Sequence, residues 1–151
     1  MKATSPRTVV IGLLGCGTVG ASVLQLLEQG GATLHERVGA QLEVRRVLVR
    51  DTAKSRPGVD PALLTTDPDE VLEDDAIDIV VELVGGEEPA KGFIERALER
   101  GKSVVTANKL LIATHGPALL ARAVAAEADL AFEGAVGGGI PIVRTLRDAF
   151  A

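Results

Sequence analysis

Apolar positions in this chain alternate between short β-branched runs and stripes of helical spacing. Thr8–Leu14 is an apolar run rich in β-branched residues, which suits a strand buried on both faces. Thr18–Glu28 follows with Val19, Val23, Leu26 and Leu27 on one helical face, ended by Gly30-Gly31. Thr33–Val38 predicts a short helix closed by Gly39. Glu43–Arg50 reads as a second strand, and Pro57, Gly58 and Pro61 mark a loop. Asp67-Pro68-Asp69-Glu70 opens a short helix, with Asp67 as N-cap, Pro68 first and Glu70 at the capping-box place. Ile77–Val84 is a third strand. Pro89–Arg100 is a helix with Ala90, Phe93, Ile94, Ala97 and Leu98 on one stripe, stopped by Gly101. Ser103–Thr106 predicts a fourth strand, Pro117–Glu127 an Ala-rich helix and Leu130–Glu133 a fifth strand. Pro141–Phe150 starts a last helix with Ile142, Val143, Leu146 and Phe150 inward.

Strands alternating with helices at this spacing imply right-handed crossovers and an α/β fold with a parallel, doubly wound sheet. The 151 residues suit one domain, or one domain and a fragment of a second. Hydrophobic residues make 46% and charged residues 25%, an ordinary globular balance that rules out disorder as the main state. The formal charge of −5 argues against a general nucleic-acid binder, and three Phe without Tyr or Trp give no base-stacking platform. The lone Cys16 excludes an internal disulfide and a multi-cysteine zinc site. Lys2 and Arg7 before Val9–Leu14 and Cys16 faintly resemble a lipoprotein signal, but that apolar run is shorter than the ~7–15 residues of such a core. No segment reaches the ~18 apolar residues of a membrane span. The expected setting is cytoplasmic.

The glycines carry the chemistry. Gly15-Cys16-Gly17-Thr18-Val19-Gly20 matches G-x-G-x-x-G directly after a buried strand and at the start of a helix, the context a dinucleotide-binding, Rossmann-type loop requires. Gly15 allows the tight turn, Gly17 lets a pyrophosphate approach the backbone, and Gly20 lets the helix pack on the strand. Free N–H groups at the helix start favour phosphate. The alternative is a tight turn that binds nothing. Cys16 reads as small-residue packing, with a redox-sensitive thiol activated by the helix end as the other option.

An acid at the end of the second strand accepts from an adenosine ribose, whereas an arginine accommodates a 2′-phosphate. Here stand both, Arg50-Asp51, followed by Lys54 and Arg56, which leans toward NADP or dual use. A solvated charge cluster would look the same. Glu82-Leu83-Val84-Gly85-Gly86 and Thr106-Ala107-Asn108-Lys109 end two further strands, at the edge where open α/β sheets bind ligands. The glycine pair lets backbone lie close to a flat ligand. Lys109 could hydrogen-bond a ribose or amide, or present charge to a developing alkoxide, or be a surface lysine. Glu133–Pro141 is glycine-rich and suits either a cation held by carbonyl oxygens or a hinge.

Together these segments resemble homoserine dehydrogenase over nearly the whole chain. The Asn108-Lys109 and Glu133-to-Pro141 segments are the specific ones. The resemblance implies NAD(P)-dependent interconversion of L-homoserine and L-aspartate 4-semialdehyde, on the way to threonine and methionine. It assigns Gly15, Gly17, Thr18, Val19 and Gly20 to the pyrophosphate, Arg50 to the 2′-phosphate, and Gly85 and Gly86 to the nicotinamide ribose. Lys109 would lie between cofactor and substrate, as the catalytic candidate of this half. Glu133, Val136, Gly138 and Ile140 look like the family's sodium-binding positions, mostly through main-chain oxygens.

Family members continue into a substrate-binding and dimerisation region that supplies the acid–base lysine and an aspartate. The expectation is therefore a nucleotide-binding domain over residues 1–151, with a linker into the substrate domain from about 134, and no turnover by this part alone. The parent would be a homodimer acting on a small molecule, without nucleic acid or membrane. Other readings are the NAD(P)-binding domain of another semialdehyde or sugar dehydrogenase, and a nucleotide-sensing module without chemistry.

Overall fold

The computed structural model describes residues 7–138 and 140–150. Six parallel strands form one sheet: β1 (Arg7–Leu14), β2 (Ala40–Leu48), β3 (Leu64–Thr65), β4 (Ile79–Glu82), β5 (Ser103–Thr106) and β6 (Leu130–Ala131). Their order is β3-β2-β1-β4-β5-β6, so the winding reverses between β1 and β4. The helices are α1 (Thr18–Gln29), α2 (Gly31–Val38), α3 (Asp69–Leu72), α4 (Ala90–Glu99), α5 (Lys109–Ala125) and α6 (Ile142–Phe150).

Reversal of winding puts helices on both faces, because each crossover must be right-handed. Alternation along β1 and β2 divides their side chains. Ile11, Leu13 and Val47 pack with Leu24 of α1 on one face. Leu14 and Leu48 join Val80, Val104 and residues of α3, α4 and α5 on the other. The expected doubly wound α/β architecture is therefore present. Leu13, Leu14, Ile94, Leu98, Leu111 and Leu119 are fully buried. Truncating such a leucine to alanine costs about 2–5 kcal/mol.

Besides the entry to α3, four expectations need correction. The buried stripe of α1 is Gly20 and Leu24, flanked by half-buried Val23 and Leu27; Val19 and Leu26 face solvent. Gly20 sets that rotation, since the helix meets the strand end at the residue without a side chain. A short strand, β3, forms in the segment after Pro61, where Val49 N–H also donates to the Thr65 carbonyl. α5 begins at Lys109 and runs through Pro117, not from it. An interior proline removes one helical hydrogen bond, yet Leu111, Gly116, Leu119 and Ala123 are buried along the helix and keep it whole. Finally, α6 leaves Ile142, Leu146 and Phe150 exposed, the last at 84%, and not inward.

The α3 entry follows its sequence signal with one change. Asp67 Oδ1 accepts from Asp69 N–H at 2.9 Å, and Pro68 already has helical angles. Glu70 does not reach back to Asp67 N–H. The Thr65 hydroxyl accepts that N–H at 3.0 Å and donates to Glu70 Oε1 at 2.8 Å.

Candidate functional site

The carboxyl ends of the central strands lie level. Leu14 pairs with Leu48 and with Glu82, and Glu82 pairs with Thr106. The segments that follow therefore emerge along one edge, at the point where the sheet reverses, which is where doubly wound sheets bind ligands.

Gly15 sits at φ +101°, and its N–H donates to the Leu48 carbonyl at 3.0 Å. A Cβ there would stand 2.9 Å from the carbonyl of Leu83, so this glycine seats the loop against the segment after β4. A Cβ on Gly20 would collide with the Gly15 carbonyl oxygen. Gly17 is the opposite case: it is exposed, and a Cβ there meets nothing within 4 Å. The loop is fastened at its two ends and open at its middle. Gly17 is the N-cap of α1 without a side-chain cap, and Thr18 and Val19 lie exposed in its first turn. This arrangement fits a phosphate-bearing ligand, since backbone donors face open space at a helix start.

Burial pushes the Cys16 thiol above its ordinary pKa, with the Arg56 charge acting the other way. Its side chain packs with the β1–α1 core, so packing describes it and an activated thiol does not.

The loop after β2 presents Arg50, exposed. Asp51 Oδ1 accepts from Ala53 N–H at 2.9 Å and so turns into its own loop. Arg56 is held inside that loop. It donates to the carbonyls of Asp51 at 2.9 Å and Lys54 at 2.8 Å, and more weakly to that of Cys16 at 3.4 Å. Of the basic residues in this segment, Arg56 ties the second loop to the glycine loop, and Arg50 points to solvent-accessible space.

Gly85 and Gly86 both sit at φ +76°, two successive left-handed residues that only glycine adopts without strain. They are anchored from beneath by Glu82, which is fully buried. Its Oε1 accepts from Val84 N–H at 2.8 Å and Gly85 N–H at 3.1 Å. Its Oε2 accepts from the Thr106 hydroxyl at 2.6 Å. Thr106 Oγ1 in turn accepts from Asn108 N–H at 3.0 Å. The Asn108 side chain donates to the Gly86 carbonyl at 2.5 Å and accepts from Leu111 N–H at 3.2 Å, capping α5. Lys109 is the first residue of that helix and is exposed. Sequence reasoning named the glycine pair and Lys109 but gave Glu82 and Thr106 no role. The available signal was an acid closing an apolar strand otherwise fit for burial on both faces.

The last glycine-rich segment reaches the same edge: a Cβ on Gly134 would contact Ala107 Cβ at 3.4 Å. The Glu133 carboxylate accepts from Val143 N–H at 3.1 Å and Arg144 N–H at 3.2 Å, at the start of α6. Its side chain is thus committed to a helix end, and what remains for a cation is main-chain oxygen. Val136 is half-buried, Gly138 (φ +43°) and Ile140 are exposed, and Gly139 between them is outside the described residues. Among the described residues no group of three or more His, Cys, Asp or Glu gathers for a metal. A hollow of about 630 Å³ lies at the opposite edge, lined by residues such as Arg7, Gly39, Asp78 and Ser103, and contains no member of the predicted site.

The chain resembles known proteins over most of its length. The family model described as homoserine dehydrogenase, NAD binding domain, matches residues 15–133. The homoserine dehydrogenase of Corynebacterium glutamicum is 49% identical over 143 residues, 95% of this chain and 32% of that protein. That of Bacillus subtilis is 40% identical, over 96% of this chain and 34% of its own length. The crystal structure of a homoserine dehydrogenase from Thiobacillus denitrificans superposes with a TM-score of 0.89 at 43% identity, covering 95% of this chain and 33% of that one. The chain thus spans about a third of the length of the curated relatives it matches.

Proposed function

The chain belongs to the homoserine dehydrogenase family, as its NAD-binding domain, and from that premise we propose that it binds NADP(H) or NAD(H) along the carboxyl edge of the sheet. The observation that carries this reading is the glycine loop: Gly15 and Gly20 are locked into packing, whereas Gly17 opens on empty space at the reversal of the sheet. Gly15, Gly17, Thr18, Val19 and Gly20 hold the pyrophosphate, chiefly through backbone N–H groups. Gly85 and Gly86 border the nicotinamide ribose. Arg50 meets a 2′-phosphate, and Asp51, engaged by Ala53 N–H, favours a ribose diol less; both support NADP(H).

The wider reading follows the family. The domain, residues 1–151 with a linker from about 134, serves a homodimeric, cytoplasmic enzyme that interconverts L-homoserine and L-aspartate 4-semialdehyde for threonine and methionine synthesis. It takes a small-molecule substrate and neither nucleic acid nor membrane; no helix among the described residues is long and apolar enough to cross a bilayer. The nicotinamide, when bound, supplies the hydride. Lys109 supplies positive charge beside the substrate oxygen, which gains negative charge as hydride arrives. The rest of the parent protein supplies acid–base groups, so this chain alone does not turn over. Main-chain oxygens of Glu133, Val136, Gly138 and Ile140 would hold a sodium ion.

Calorimetry of the chain with NADPH and NADH tests the reading, with homoserine oxidation assayed beside it. Binding of either nucleotide without turnover is the expected result. Failure of both to bind, or robust turnover by the 151 residues, overturns it.

A further inference from the structure

Glu82 is a fully buried carboxylate whose partners are all neutral donors. Burying such a group is costly unless its oxygens are hydrogen-bonded, and here three donors reach them, two on Oε1 and one on Oε2. Two come from the backbone that forms the glycine turn, Val84 and Gly85. The third comes from a hydroxyl on the neighbouring strand. That hydroxyl has one proton, and it is given to Glu82 Oε2; its oxygen is therefore left to accept from Asn108 N–H. Asn108 then grips the Gly86 carbonyl with one side-chain atom and Leu111 N–H with the other. The chain of bonds closes on itself: it leaves Glu82, crosses to β5, and returns to the glycine turn it started from.

Every bond in this circuit has a fixed direction. Its outputs are the two left-handed glycines and the first turn of α5, where Lys109 stands. We propose that Glu82, through Thr106 and Asn108, is the positioning residue for the nicotinamide half of the cofactor, setting the Gly85-Gly86 turn and Lys109 as one unit. This rests on the cofactor reading above and adds to it a division of labour. The glycine loop after β1 rests on the Leu83–Val84 backbone but takes no hydrogen bond from Glu82, whereas the glycine pair and, through Thr106, Asn108 are bonded to it.

Replacing Glu82 by Gln keeps the shape but turns one of its two acceptor ends into a donor, which either leaves the Thr106 hydroxyl proton without its acceptor or sets an NH2 against the N–H groups of Val84 and Gly85. Thr106→Val removes the hydroxyl with little change of volume, and Thr106→Ser retains it. The measurement is calorimetric affinity of the chain for NADPH and for ADP, which carries the adenosine and both phosphates but no nicotinamide ribose. The expected result is that E82Q and T106V lower NADPH affinity at least fivefold and leave ADP affinity within twofold. T106S should keep NADPH affinity within twofold of the unaltered chain. Circular dichroism controls for folding, and if E82Q does not fold, T106V decides. Folded variants that bind NADPH as the unaltered chain does would overturn the inference alone, as would equal losses for NADPH and ADP. An unaltered chain that binds neither nucleotide overturns the cofactor reading itself and this inference with it.

Discussion

The carbonyl oxygen of Gly15 occupies the place that a Cβ of residue 20 would need. The strand end and the first turn of α1 are in backbone contact there, three residues past the open Gly17. An alanine in place of a helical glycine ordinarily stabilises by about 1 kcal/mol. At position 20 the sign reverses, because neither backbone can yield. Gly20→Ala is expected to lower the melting temperature by several degrees, read by calorimetry or circular dichroism. Gly17→Val should leave melting nearly unchanged and reduce NADPH affinity at least tenfold, about 1.4 kcal/mol. A destabilised G17V with normal binding would reverse the two assignments.

Arg50 and Arg56 are separated by what their guanidinium groups do. Arg56 is spent on carbonyls of its own loop and of Cys16. Arg50 is exposed. Arg50→Ala is therefore expected to weaken NADPH much more than NADH, since a charged hydrogen bond is worth about 1.5–3 kcal/mol. Arg56→Ala should loosen the loop and weaken both nucleotides to a similar degree. Competitive titration of the two nucleotides against each variant reads the difference. Equal loss of both from R50A would make Arg50 a general or structural charge.

The parts legible in the sequence were those where one local rule acted alone. β1, the glycine loop, β5 and the buried stripe of α4 each follow from periodicity or a glycine whose neighbours cannot move. Elsewhere two rules competed. Pro117 is a strong helix-start signal, but Asn108 caps the same helix earlier and the buried leucines carry it through the proline. The stripe read on α1 was displaced because Gly20, lacking a side chain, takes the closest approach and swings Val19 outward. Ile142, Leu146 and Phe150 have core spacing, yet spacing states only that they share a face, not that anything covers it. Glu82 was hidden because a sequence shows a charge and not its three donors.

Two carboxylates, Glu70 in α3 and Asp74 just after it, give the protein an acid-side dependence. Glu70 is held below its ordinary range first by the Thr65 hydroxyl and then by Arg46. Asp74 is held down chiefly by Ala76 N–H, with Arg45 adding its hydrogen bond and charge. A carboxylate depressed in the folded state binds its proton more readily when unfolded. Its stabilising share is therefore complete above the unfolded carboxylate range and is lost as pH falls through the depressed values. Melting temperature should thus hold steady from neutral pH down to about 5 and fall below it. Asp74→Asn should melt lower at pH 7 and differ less from the unaltered protein at pH 3. Parallel melting curves across that range would remove Asp74 as a contributor.

Lys109 stands at the first position of α5, directly after its Asn108 cap. The start of a helix carries partial positive charge, and a cation there is disfavoured by about 0.3–1 kcal/mol. The side chain is exposed and adds nothing to the core. Its placement therefore runs against stability, which is the pattern expected of a residue kept for chemistry. On the proposed function, in a full-length protein of the family carrying this domain, Lys109→Ala is expected to lower kcat/KM at least a hundredfold, about 2.7 kcal/mol of transition-state stabilisation. The same change should leave the melting temperature equal or slightly raised. Lys109→Arg keeps a charge but spreads it over a larger, planar group, so it should restore only part of the rate. Steady-state kinetics beside thermal melting separate the two effects. A variant within threefold of normal activity, or one that melts lower, would leave Lys109 as a surface charge and return the catalytic burden to residues outside this domain.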